Sequence, residues 1–135
     1  MIDPVIATKV HSVLAKSKMY VLVKSDLPIG HAVLACAHAS LGGYLHFVSR
    51  ERMTLDTHDC KTSTELWASS SFRKVVCSVS DEEFQEAKSY GVAGEDYRVM
   101  TESSLDNAEV AIVFRPRSEW EPFFRSLKLY GKESA

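Results

Sequence analysis

The sequence predicts an α/β fold, three layers α/β/α around a mixed sheet of about four strands. Short strand-like runs alternate with stretches of helical periodicity, the pattern of helices packed on a sheet. One run, Met19 to Lys24, is apolar at nearly every position, as a central strand buried on both faces requires. The last two strand-like runs are joined by a polar connection alone, so the sheet is mixed rather than wholly parallel.

In chain order, Asp3 and Pro4 ahead of Ile6, Val10, Val13 and Leu14 read as an N-cap, a first-turn proline and an apolar stripe. A short helix is expected there, making residues 1–17 a helical extension to one domain at 18–135. The Met19 strand ends at Asp26-Leu27-Pro28, and a second helix follows Gly30 through HAVLACAHASLGGYLHFVSR. Small residues let that helix approach a sheet closely, although Gly42 and Gly43 lower its intrinsic propensity. Residues 50–62 are polar and aperiodic and are expected to form a loop, followed by a helical turn around Thr64 to Trp67.

Arg73 to Val79 is the second strand. Ser80 with Glu83 makes a capping box that opens a helix through Tyr90, closed by Gly91. Asp96 to Thr101 and Glu109 to Phe114 are two further strands. Trp120, Phe123, Phe124 and Leu127, at i, i+3, i+4 and i+7, form the apolar stripe of a last helix. Its start is open between a Ser118–Glu121 capping box and Pro122 at the first helical position.

A chain of 135 residues suits a single domain, and 45% hydrophobic with 25% charged residues excludes a disordered or collagen-like chain. No apolar run is expected to cross a bilayer, and the first residues lack the basic start and continuous apolar stretch of a secretion signal, so the cytosol is the default compartment. Cys36, Cys60 and Cys77 form an odd set without Cys-x-x-Cys spacing, read as three reduced thiols. The net charge of −2 does not announce a nucleic-acid binder. It is unevenly spread. Asp81 to Glu109 holds nine acidic and two basic residues, whereas Arg115 to Lys132 is basic and offers either a phosphate-binding end or the solvated side of the last helix.

Ligands of open α/β sheets lie beyond the carboxyl ends of the strands, which directs the search to Asp26 to His31 and Thr101 to Ser104. Gly30 and His31 open a helix, where free N–H groups and the dipole favour an anion. His31 is either a base or anion ligand, or a first-turn histidine in solvent. His38 shares its helix face, but two turns of separation are too long for one metal ion, and a satisfied, partly buried histidine is the alternative. Asp56, His58, Asp59 and Cys60 lack a recognised ligand spacing and read as solvated loop. Neither metal nor cofactor is expected. Glu102 is a candidate acid, base or water-orienting group, with Thr101, Ser103 and Ser104 as donors beside it, or else these are ordinary strand-end turn residues. No Gly-x-Ser-x-Gly elbow, Walker loop or Gly-x-Gly-x-x-Gly fingerprint is present.

The segment KMYVLVKSDLPIGHAVLACAHASLGGY resembles the opening strand, loop and helix of the archaeal and eukaryotic (type II) peptidyl-tRNA hydrolases. In that family a Gly-Lys pair starts the helix and Ala-Ala-Gln-x-x-His-Ala follows. Setting His38-Ala39 on the His-Ala puts Gly30 on the glycine, His31 on the lysine and Ala35 on the glutamine. Trp67, KVVCSV, the capped helix, the acidic turn and AIVFRPRSEWEPFFRSLKLY also fit, so the likeness runs from about Lys18 to Tyr130. Glu102 stands where the family has Asp, with no clear threonine four residues on, and the loop before Gly30 is shorter. The acidic turn and RSLKLY are similar as well to same-fold domains with no assigned activity.

The resemblance implies metal-free hydrolysis of the ester joining a peptide to the 3′ end of tRNA. It implies a site of His31, Glu102 and Asp26, with Gly30, His38, Thr101 and Ser103 binding substrate and Asp26 bracing its loop. Peptidyl-tRNA is the implied partner and a homodimer the implied assembly. An inactive binding or regulatory module on the same scaffold is the alternative, given His31 and Ala35. A small-molecule enzyme reusing the strand-end pocket is a third reading.

Overall fold

A computed structural model of the chain describes residues 16–55 and 59–132. The expected opening helix lies outside these residues, as do Asp56 and His58. Four strands form one mixed sheet: β1 (Lys18–Lys24), β2 (Arg73–Val79), β3 (Tyr97–Glu102) and β4 (Ala108–Phe114), in the order β2-β1-β4-β3. β1 runs parallel to β2, with Lys18 opposite Arg73 and Lys24 opposite Val79. β4 is antiparallel to both β1 and β3. The carboxyl ends of β1, β2 and β3 therefore share one end of the sheet.

The helices are α1 (Ile29–Arg52), α2 (Ser63–Ala68), α3 (Asp81–Ala87) and α4 (Pro122–Ser126). They cover both faces. β1 supplies both cores by its two-residue alternation: Met19, Val21 and Val23 face Ala32, Ala39, Phe47 and Trp67, while Tyr20 and Leu22 join Phe84, Ala87 and Phe124. This is the three-layer α/β/α arrangement expected of the sequence.

The small residues of α1 make its close approach possible. Ala32, Ala35, Ala39 and Gly43 form its buried side, and a Cβ at Gly43 would stand 2.8 Å from a Val113 methyl carbon. α1 extends to Arg52, so the predicted loop begins later. Two contacts hold that last turn: Arg52 reaches Glu65 at 2.6 Å, and Glu51 accepts from both the backbone and the hydroxyl of Thr64. Thr62 and Glu65 form a capping box that starts α2 and organises the end of the stretch read as aperiodic. By length and composition alone α1 passes as a membrane span, a test that a core helix packed on a sheet passes equally.

Ser80 and Glu83 cap α3 reciprocally, as predicted, but the helix closes at Ala87. Single i→i+3 bonds carry the turn to Tyr90. Gly91 is not a left-handed cap. It is small because a Cβ there would lie 2.6 Å from that of Asp96. Pro122 is the first residue of α4, resolving the two possible starts, and only five residues are helical. The stripe still packs, since Trp120 and Leu127 flank the helix and are buried with Phe124.

The C-terminal segment closes one edge of the sheet. Lys128 O accepts from Ser78 N–H and Tyr130 N–H donates to Val76 O, each at 2.9 Å, along β2. Of the basic residues there, Arg115 faces Asp96 and Glu51, and Arg117 pairs with Glu121. Both follow the carboxyl end of β4, at the opposite end of the sheet from Glu102.

Cys77 is buried in β2, and burial, with the Glu83 carboxylate adding, pushes its thiol up to about 11. A folded-state value above the unfolded one leaves stability unaffected at low pH and removes it as pH rises from the unfolded value toward the folded one. Between pH 9 and 11 this thiol is expected to remove up to about 3 kcal/mol. Urea unfolding across that range checks it: the wild type should lose more stability than Cys77→Ala, and parallel curves would remove the thiol as the cause.

Candidate functional site

The turn after β1 is fixed by backbone bonds, Ser25 N–H to Val79 O at 2.9 Å and Leu27 N–H to Lys24 O at 3.4 Å. Asp26 is exposed in this turn and makes no hydrogen bond or ion pair among the described residues, so the backbone supplies the bracing expected of it. Pro28 precedes α1 and offers no side-chain cap, leaving the first-turn N–H groups of Ile29, Gly30 and His31 without one. A Cβ at Gly30 would meet nothing within 4 Å. Gly30 thus leaves the helix start open to close approach.

The other wall comes from the end of β3. The register against β4 slips between Met100 and Thr101, and Glu102 then caps a 3₁₀ turn over Ser103–Leu105. Asp106 and Asn107, at φ 55° and 60°, reverse the chain through left-handed conformations that Asp and Asn tolerate better than most residues. Asn107 N–H closes the turn on Glu102 O at 3.0 Å.

Ser104 is the link between the walls. Its backbone N–H and its hydroxyl both donate to Glu102 Oε1, at 3.1 and 3.0 Å, and its Oγ lies 3.4 Å from His31 Nε2. The Ser104 hydroxyl has one proton. With that proton on Glu102, His31 must be the donor from Nε2, and a neutral ring keeps its lone pair at Nδ1. The backbone bond from Ser104 and then its hydroxyl hold the Glu102 carboxyl below its usual range against desolvation, with smaller help from the fields of His31 and His38. Glu102 is therefore an anion at neutral pH: it orients donors and offsets positive charge, and is a poor proton acceptor.

A groove of about 590 Å³ runs from this cluster between α1 and β3. His38, Thr101, Glu102 and Ser103 line its polar end, and Leu41, Leu45 and Met100 its apolar stretch. The structure thus gathers His38, Thr101, Glu102 and Ser103 around one opening, joins His31 to Glu102 through Ser104, and leaves Asp26 outside. Ala35 is buried against the sheet, where a glutamine amide would have to enter the core. Sequence reading placed Ser104 among several possible donors and did not single out Arg98 or Asn107. The period of β3, which sets Arg98 and Met100 on one face, was the available signal.

An open α/β sheet with a polar cluster and groove at its strand ends defines a ligand-binding or hydrolytic domain of the strand-end type. Residues 17–130 match the family model for peptidyl-tRNA hydrolase PTH2. The chain belongs to that family, whose function concerns peptidyl-tRNA. No curated protein matches it.

Proposed function

We propose that this protein is an active, cytosolic esterase that releases peptide from the 3′ end of tRNA. The His31–Ser104–Glu102 chain, whose carboxylate lines the groove, carries this reading. Water attacks the ester carbonyl as Nδ1 of His31 takes its proton. The bond from carbonyl carbon to the ribose 3′-oxygen breaks, and the proton passes to that oxygen as the alcohol leaves. Glu102, through Ser104, holds the ring and offsets its transient positive charge. The open N–H groups at Gly30 and His31 suit a phosphate of the tRNA end.

The test is peptide release from purified peptidyl-tRNA. Glu102→Gln preserves an acceptor for Ser104 and removes the charge, so it should lower kcat about 100-fold. Equal rates would remove Glu102 from the mechanism. The binding-module alternative draws on His31 in place of the family's lysine and on the burial of Ala35. Its signature is tRNA binding that weakens steeply with salt, without release of peptide. The family resemblance carries a homodimer as the assembly, which sedimentation measures.

A further inference from the structure

We infer that the stretch of groove between Leu41, Leu45, Met100 and Arg98 is an acyl subsite, which holds the peptide of the ester substrate and prefers apolar residues preceded in the chain by an acidic one. This rests on the hydrolase reading. The groove has direction: α1 runs away from the polar cluster and β3 runs toward it. From His38 to Leu45 is about 10 Å along the helix, and from Arg98 to Glu102 about 13 Å along the strand. An extended peptide covers about 3.3 Å per residue, so with its ester at Glu102 the fourth residue back reaches Arg98.

Four features fit a peptide chain. Leu41 and Leu45, one helical turn apart, are 63% and 58% exposed and give the groove an apolar strip. Met100 forms the floor, and a Cβ at Gly42 would stand 3.1 Å from its terminal methyl carbon, so Gly42 leaves room for a flexible thioether that adapts to varied side chains. Arg98 donates to Gly42 O at 3.4 Å and pairs with no carboxylate among the described residues, leaving a cation for an acidic side chain. The outer edge of β3 beyond Tyr97 meets no strand among the described residues, whereas β2 is covered by the C-terminal segment. Main-chain pairing with that open edge would hold a peptide irrespective of its sequence.

Three N-acetylated tetrapeptides esterified through a terminal glycine to the same tRNA test the subsite: all glycine, leucine at the two middle positions, and the same leucines with glutamate at the first. The wild type is expected to show KM about tenfold lower for the leucine ester than for the glycine ester, and lower again with glutamate. The double variant Leu41→Ser/Leu45→Ser should erase the leucine preference, and Arg98→Gln only the glutamate increment. Equal KM for all three esters, or preferences that survive both variants, overturns the subsite. If no ester is hydrolysed, the hydrolase reading falls, and binding of the fluorescein-labelled free peptides decides the groove. Discrimination lost in the variants then supports it, and uniform or absent binding overturns it.

Discussion

Replacing His31 with alanine is expected to slow peptide release by about 10²- to 10⁴-fold while changing folding stability by no more than about 0.5 kcal/mol. The asymmetry follows from its position. His31 is half-exposed in the first turn of α1, and its one hydrogen-bond contact among the described residues is a 3.4 Å approach to an exposed serine, so folding gains little from it. The chemistry depends on it if Nε2 is committed to Ser104 and Nδ1 receives the proton of the attacking water. His31→Gln separates two roles, because glutamine can donate to Ser104 but has no lone pair of comparable basicity. A glutamine variant as slow as alanine identifies His31 as the base. Recovery of the rate in glutamine would mean that only the donor matters, and wild-type rates in both variants would exclude His31 altogether. kcat measured with KM distinguishes this from a phosphate contact, whose loss acts on binding.

Phe124→Ala is expected to cost about 3–5 kcal/mol, a large share of the roughly 5–15 kcal/mol that stabilises a typical domain. The ring is 1% exposed and lies within about 5 Å of five others: Tyr20 at 5.3 Å, Tyr90 at 5.4 Å, Phe114 at 4.8 Å, Trp120 at 4.9 Å and Phe123 at 5.3 Å between centroids. Alanine leaves a cavity among rigid aromatic neighbours that cannot collapse into it, and it removes edge-to-face contacts of about 0.5–1.5 kcal/mol each. Urea unfolding followed by Trp120 and Trp67 fluorescence reads the loss. A change below about 0.5 kcal/mol would mean that α4 does not pack on the sheet through this face.

Strand order along the chain, the double-sided burial of β1 and the small-residue face of α1 were all readable in advance because each is a local pattern. Alternation, continuous hydrophobicity and residue size are set by neighbours in sequence. The capping box at Ser80 was equally local. Thr62 and Glu65 carry the same signature and were passed over because they adjoin a polar stretch without a period. The length of α1 was underestimated for a different reason. Its final turn depends on Glu51 and Arg52 reaching Thr64 and Glu65, thirteen residues away, and no local propensity records such bonds. α4 shows the converse, since its helical spacing describes a packed aromatic cluster in which only five residues are helical.

For the candidate site, sequence by itself determined the residue types at the strand ends: a histidine and glycine opening one helix, and a carboxylate with hydroxyls closing one strand. Only the tertiary structure decided which of them meet. Antiparallel pairing of β4 with both neighbours brings the ends of β1 and β3 to the same side, and the slip after Met100 turns Glu102 and Ser104 toward His31. It also set Asp26 apart and sent Arg115 and Arg117 to the far end of the sheet. The physical reason is distance along the chain. His31 and Ser104 are separated by 73 residues, and their contact is fixed by strand order and register, which arise from the burial of two cores rather than from any feature of the residues in contact.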